Sequence, residues 1–201
     1  MTILLLVTLL TPPTPSAPRP RPAPRPDAPA VWQIDPTHSE LSFRIRHLVG
    51  RVRGTFNDWD GSITGDPADW NGGTVEVHIR TASIDTGNEN RDNDLRSDRF
   101  FGAEQFPQIS FRSRSAEFHG DEGTITGDLT VRDVTRPVVL KAHYLGLAPG
   151  KEGRDRIGFE ATTTIDRMDY GVKYNRVVEG GGLLLGDEVD LAFTIEAIRQ
   201  P

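Results

Sequence analysis

The side chains of this 201-residue chain that could do chemistry are few. With no cysteine there is no thiolate nucleophile, disulfide or thiolate metal ligand. The five histidines, His38, His47, His78, His119 and His143, show no HxH, HExxH or other close ligand spacing, so no metal site is assigned. His78 and His143 fall on the polar side of their strands and read as surface residues, while His38 and His47, near strand ends, read as hydrogen-bonded structural residues. No G-x-S-x-G elbow, phosphate loop or dinucleotide fingerprint occurs, so neither catalytic nor cofactor-binding residues are assigned. What remains is a charged set, Asp35, Asp85, Arg91, Asp92 and Arg96. Such a set can pair structurally where a chain turns from strand to helix, or clamp a ligand head group, for which Arg suits a phosphate or carbonyl. A third use is catalytic, with Asp92 or Asp35 as base and an Arg stabilising charge.

The elements that would position this set are mainly strands. Leu41, Phe43 and Ile45 alternate with Ser42, Arg44 and Arg46, the period of a strand with one buried face. The same period recurs through Val52, Gly54 and Phe56; Val75, Val77 and Ile79; Ile109 and Phe111; Ile125, Gly127, Leu129 and Val131; Val138, Leu140, Ala142 and Tyr144; Ile157, Phe159, Ala161, Thr163 and Ile165; and Val189, Leu191, Phe193, Ile195 and Ala197. Gly- and Asp-rich turns such as Asp60-Gly61, Gly120-Asp121 and Pro149-Gly150 join the strands, which leaves no room for parallel crossovers. The expected fold is all-β, an antiparallel eight-stranded barrel, since closure removes exposed edges. A barrel of this size either fills itself or holds one small ligand. Gly54, Gly127 and Thr163 on the apolar parity are expected to leave room inside.

Residues 82–107 interrupt the pattern between the third and fourth strands. Asn88 is placed to cap a short helix, with Asp92 and Arg96 paired at i,i+4 and Ser97 capping a second turn that carries Phe100 and Phe101. This insert is expected to close one barrel end as a lid. Leu95, Phe100 and Phe101 would face inward, and Asp35, Arg91, Asp92 and Arg96 would form a polar mouth.

The chain divides at about residue 30. Residues 3–10 are an apolar run too short to span a bilayer, which takes roughly 20 residues, but suited to the apolar region of an export signal. Residues 11–30 are rich in Pro, Ala and Arg and supply no core. Residues 31–201 are read as the barrel domain of an exported protein, periplasmic or extracellular. The whole chain carries a formal charge of −6, and the tail holds Arg19, Arg21 and Arg25 against one acid, Asp27. The remaining domain is therefore still more acidic, which makes nucleic acid an improbable partner and disfavours tight electrostatic docking on anionic lipid.

Several segments resemble the YceI-like family of polyisoprenoid-binding, lipocalin-like proteins. They are Trp32-Gln-Ile-Asp-Pro-Thr-His-Ser39 with Leu41, Phe43 and His47-Leu48; Ala82-Ser-Ile-Asp-Thr-Gly87 with Arg91-Asp92, Leu95-Arg96-Ser97 and Phe100-Phe101; Phe106-Pro107 with Ile109-Ser-Phe111; Gly127-Asp-Leu-Thr130 with Val134-Thr-Arg-Pro-Val138; and Ile165-Asp-Arg167 with Asp169-Tyr-Gly171. Two positions depart from the family pattern. Asp94 stands where the family usually has His, so no role of that histidine is transferred, and Asp133 stands where it usually has Gly. The resemblance implies an extended lipocalin-like barrel holding a long isoprenoid or other apolar lipid, in an exported bacterial protein with transient membrane contact and a possible homodimer. The expected apolar lining is Phe43, Ile45, Phe56, Val75, Val77, Ile79, Leu95, Phe100, Phe101, Phe111, Leu129, Val131, Leu140, Phe159, Tyr170 and Phe193. Two alternatives stand beside this non-catalytic binding or transport role: an enzyme acting on an apolar substrate at the mouth, and a filled barrel serving as a stress-response module.

Overall fold

Alternating side chains need a buried face and their backbones need partners, and a closed sheet provides both. The computed structural model describes residues 29–177, 179 and 181–201; the export-signal reading lies outside them. Its strands are β1 (Ala30–Ile34), β2 (Glu40–His47), β3 (Gly50–Phe56), β4 (Trp59–Asp66), β5 (Asp69–Arg80), β6 (Ile84–Asp85), β7 (Gln108–His119), β8 (Glu122–Val131), β9 (Val134–Ala148), β10 (Arg156–Asp166) and β11 (Leu185–Arg199), with one helix, α1 (Glu89–Arg96). All pairings are antiparallel. The sheet runs β1-β4-β5-β7-β8-β9-β10-β11 and closes by pairing β11 back to β1 through Ile34↔Ala197. β2 continues β1 along β11, and β3 leads into β4, so eight bent strands form an up-and-down barrel.

The bend between β1 and β2 is a 3₁₀ turn, Pro36–His38, capped by Asp35, whose Oδ1 accepts from the Thr37 N–H at 3.1 Å. β4 corrects the turn expected at Asp60-Gly61, which lies inside a strand, opposite His78 and Val77. Glycine reads as punctuation, yet here it permits close approach. A Cβ on Gly61 would stand 2.7 Å from the Glu76 carbonyl oxygen and 3.0 Å from Ile34 Cδ1.

The glycines on the inner face do not leave empty space. A Cβ on Gly54 would lie 2.4 Å from Phe43 Cζ, and one on Gly127 would lie 2.5 Å from Phe111 Cζ. The same relation holds between Gly123 and Phe118 and between Gly65 and Trp70. Each glycine is covered by an aromatic ring, which shields its backbone.

Candidate functional site

The barrel is hollow. Two chambers lie along it, a larger one of about 420 Å³ at the end carrying α1 and a smaller one of about 100 Å³ toward Trp70. Leu41, Ile79, Leu129, Leu191 and Phe193 line both, so the chambers share a waist. Of the sixteen expected apolar residues, Val75, Val77, Phe111, Leu140 and Phe159 line the smaller chamber. Phe43, Ile45, Phe56, Leu95, Phe100, Phe101, Val131 and Tyr170 line the larger, and Ile79, Leu129 and Phe193 line both. For those on strands the strand period is responsible, because in an antiparallel barrel residues at i and i+2 share a face and cross-strand partners point the same way; Leu95, Phe100, Phe101 and Tyr170 come from segments between strands instead.

An aromatic floor ends the smaller chamber. Trp70 is buried, with its ring 4.9 Å from Phe159 and 5.4 Å from Tyr144, and Phe118 completes the group at 6.2 Å from Phe159. Burial pushes the Tyr144 hydroxyl above its ordinary pKa. Trp70 sits in Asp69-Trp-Asn-Gly-Gly73, a composition that reads as a turn, so sequence reasoning missed this floor.

The opposite end is covered in two parts. The first is the expected insert. Asn88 caps α1, its Oδ1 accepting from the Arg91 N–H at 3.0 Å. Leu95, Phe100 and Phe101 face the larger chamber, and Phe56 meets Phe101 edge to face at 6.1 Å. The polar attachments differ from expectation. Asp92 and Arg96 do not pair. Buried Asp92 accepts from the Thr86 N–H at 2.9 Å and from the Thr86 hydroxyl. Arg91 donates to Thr86 Oγ1 at 2.7 Å, and Arg96 donates to the carbonyls of Ala82 at 2.7 Å and Ile84 at 2.8 Å. The free carbonyls at the β5–β6 corner therefore take Arg96 and the Thr86 N–H and hydroxyl take Asp92, the two side chains that an i,i+4 rule would pair with each other. Ser97 ends α1 rather than capping a second turn: its hydroxyl donates to the Asp94 carbonyl at 2.6 Å. Asp94 lies on the chamber wall, 3.4 Å from Arg99 Nη2.

The second part of the cover, the connection from β10 to β11, was not legible as such. Arg167 organises it from a buried position. Its guanidinium donates to the carbonyls of Gly186 at 2.8 Å, Tyr174 at 2.9 Å and Val172, and to Asp187 Oδ1 at 3.1 Å. Burial lowers its pKa against the opposing pull of Asp187. Tyr170 is buried beside it, and loss of hydration, with help from Asp169, pushes its hydroxyl up to about 12. The two covers meet where the Tyr174 ring lies 5.0 Å from Phe100. A signal existed, since Arg167 lies in one of the resemblance segments, but nothing in the sequence says that an arginine there is buried.

Asp35 does not belong to this mouth. It sits at the β1–β2 bend with His38 Nδ1 at 2.9 Å and Arg156 Nη1 at 3.2 Å. Arg156 also bonds Glu196. Asp35, His38 and Glu196 bring donor atoms within 4.8 Å of one another, the spacing of a metal site, but the Arg156 guanidinium supplies the positive charge between the two carboxylates. His47, read as structural, lines the larger chamber, and His78 and His143 pair with Glu76 and Glu122.

Comparison with known proteins agrees with this architecture. Residues 32–197 match the YceI-like domain family. Protein YceI of Escherichia coli O157:H7 is 39% identical over 167 residues, covering 81% of this chain and 83% of that one. The crystal structure of the Campylobacter jejuni YceI protein superposes with a TM-score of 0.69 at 32% identity, over 78% of this chain and 91% of that one. A polyisoprenoid binding domain from Saccharophagus degradans shares the fold, with a TM-score of 0.64 at 14% identity over 86% of this chain and 99% of its own.

Proposed function

The chain belongs to the YceI-like family, and from that membership and the hollow of its barrel we propose that it is a non-catalytic carrier, holding a long apolar molecule such as an isoprenoid or related lipid along the barrel axis. The observation that carries this reading is the graded wall. The smaller chamber is lined without any charged residue, while Arg91, Asp94, Arg167 and Arg176 all stand on the larger one, nearer the covers. An apolar tail inward and a polar head at the mouth is the orientation such a wall selects. The larger chamber falls within the range of small-molecule sites, roughly 300–1,000 Å³. A further support is that a protein of this fold is a polyisoprenoid binding domain.

Binding rather than catalysis is favoured by the state of the candidate bases. Asp92 is consumed by Thr86 and lines neither chamber, and Asp35 is held by His38 and Arg156 away from the cavity. The export reading goes with a carrier that works outside the cytoplasm, periplasmic or extracellular. Sizing the mature protein in fractionated cells tests it.

Native mass spectrometry and organic extraction of the purified protein test the carrier reading. The expected result is a stoichiometric apolar ligand, recovered by delipidated protein from isoprenoid dispersed in dilute ethanol. Leu191→Trp, at the waist of the cavity, is expected to reduce uptake while the protein stays folded. Protein that is empty as isolated and takes up no isoprenoid overturns the proposal.

A further inference from the structure

The two-residue turn between β2 and β3 is built from the wrong residues for its geometry. His47 pairs with Gly50, leaving Leu48 and Val49 as the loop. Two-residue hairpin loops favour Asn-Gly, Asp-Gly or Gly-X because their backbones enter the left-handed region. Leu48 takes that conformation here, with φ 52°, which is strained for a residue that carries a Cβ. Val49 is 106% exposed, as open as a side chain in an extended peptide. The fold gains nothing from an apolar pair at this tip and bears both its strain and its exposure.

A second apolar tip stands beside it. Val177 and Leu183 form an isolated antiparallel bridge in the β10–β11 connection, and both are exposed, Val177 at 68%. The tips are tied together: the Leu48 N–H donates to the Leu184 carbonyl at 2.9 Å, and Arg46 donates to the carbonyls of Leu48 at 3.2 Å and Leu183 at 3.5 Å. The patch borders the cavity, because His47, Arg176, Leu184 and Leu185 line the larger chamber. Beside it stand exposed Arg46 and Arg176, and the same connection carries exposed Lys173 and Glu179. Among the described residues, none of these three cations forms an ion pair. The domain is acidic as a whole, but its apolar rim is edged by cations.

We propose that this rim, Leu48 and Val49 with Val177 and Leu183, is a membrane-docking surface that inserts into the headgroup boundary of a lipid bilayer and sets the cavity mouth against it. The inference rests on the carrier reading and adds the surface through which loading occurs. Every methylene of a long chain adds to the cost of exposing it to water, so its passage through water is prohibitive and the mouth must meet the bilayer directly. Apolar tips flanked by cations with long alkyl stems are the chemistry that enters this boundary, the stems lying among acyl chains and the charges at headgroup level. An anionic bilayer is preferred through Arg46 and Arg176. A second protein or a second copy of this chain is disfavoured as occupant, because the apolar groups stand at loop tips and offer no flat face.

The test uses the full domain and vesicles of phosphatidylcholine, with and without phosphatidylglycerol. The expected result is flotation with both, stronger with phosphatidylglycerol and weakened by salt. The double variant V49D/V177D should bind vesicles at least about tenfold more weakly while keeping the parent melting temperature. It should also take up isoprenoid from vesicles correspondingly more slowly, yet match the parent when isoprenoid is dispersed in dilute ethanol. Loss of uptake from both sources in the parent protein marks failure of the carrier reading; equal uptake by parent and variant from vesicles overturns the docking surface alone. Val49→Trp provides an independent readout. Because Trp32, Trp59 and Trp70 are buried, a blue shift on adding vesicles reports the introduced indole entering lipid, and its absence overturns the proposal. A concentration-dependent dimer abolished by V49D/V177D overturns it as well, by assigning the rim to a second copy.

Discussion

The guanidinium of Arg99 lies over the ring of Tyr174, with Cζ 4.2 Å from the ring centroid. This contact joins the two covers of the barrel: Arg99 follows α1, and Tyr174 belongs to the connection held by Arg167. The same ring packs against Phe100, and Asp94 sits 3.4 Å from the Arg99 guanidinium on the insert side. A cation–π contact is worth about 0.5–2 kcal/mol and an aromatic pair about 0.5–1.5 kcal/mol, so the seam is strong enough to hold the mouth shut and weak enough to open.

Tyr174→Ala should therefore act on exchange more than on affinity. Release of a bound apolar fluorophore into acceptor vesicles is expected to accelerate about tenfold, the equivalent of ~1.4 kcal/mol. Stopped-flow fluorescence measures it. An unchanged release rate would show that the seam does not gate the mouth.

Arg167 is costly to remove. Arg167→Met fills similar volume but leaves the carbonyls of Val172, Tyr174 and Gly186 without this donor. Leaving a buried carbonyl without its partner costs about 1–3 kcal/mol, while Asp187, itself half-exposed, is left in water. Urea denaturation followed by circular dichroism should show a loss of that order.

Stability in acid should depend on Asp35. The His38 hydrogen bond, with the Thr37 N–H and Arg156, lowers its pKa to about 2 against the opposing effect of desolvation. A carboxylate whose folded pKa is depressed contributes stability that is complete above its unfolded value of about 3.9 and is lost as pH falls through the folded value. The parent protein is expected to lose stability between about pH 4 and pH 2 more steeply than Asp35→Asn. Parallel melting curves across this window decide it, and identical slopes would remove Asp35 from the account.

Gly127→Ala examines the ring-over-glycine pairs. The added methyl would meet Phe111 Cζ at 2.5 Å and the Arg112 carbonyl oxygen at 2.6 Å, and the backbone oxygen cannot swing away. Overpacking of this sort costs about 1–3 kcal/mol. A fall in the denaturation midpoint at unchanged m-value is the expected result.

Much of the barrel was legible because a strand's period is local. The alternation from Leu41 to Ile45 or from Ile157 to Ile165 states which side chains share a face, and one face of a closed sheet must point inward. That is why the expected apolar residues on the strands line the chambers without any knowledge of the fold in space. The Asn88 cap was legible for the same reason, its partner being three residues away. β4 was not, since glycine marks both a turn and a close packing contact, and only the neighbouring Glu76 backbone and Ile34 side chain distinguish the two. The separation of Asp35 from Arg91, Asp92 and Arg96 was also decided in three dimensions: side chains of similar charge carry no record of which strand end they reach. Whether the barrel would be hollow or filled depended on volumes contributed by strands far apart in the chain. The basic rim of an acidic domain depended likewise on bringing Arg46 and Arg176 to one edge. Sequence alone determined most of the strands, their inward faces and the family; tertiary structure decided β4, the cavity, its two covers and the surface beside its mouth, because each is assembled from residues that meet only after the sheet has closed.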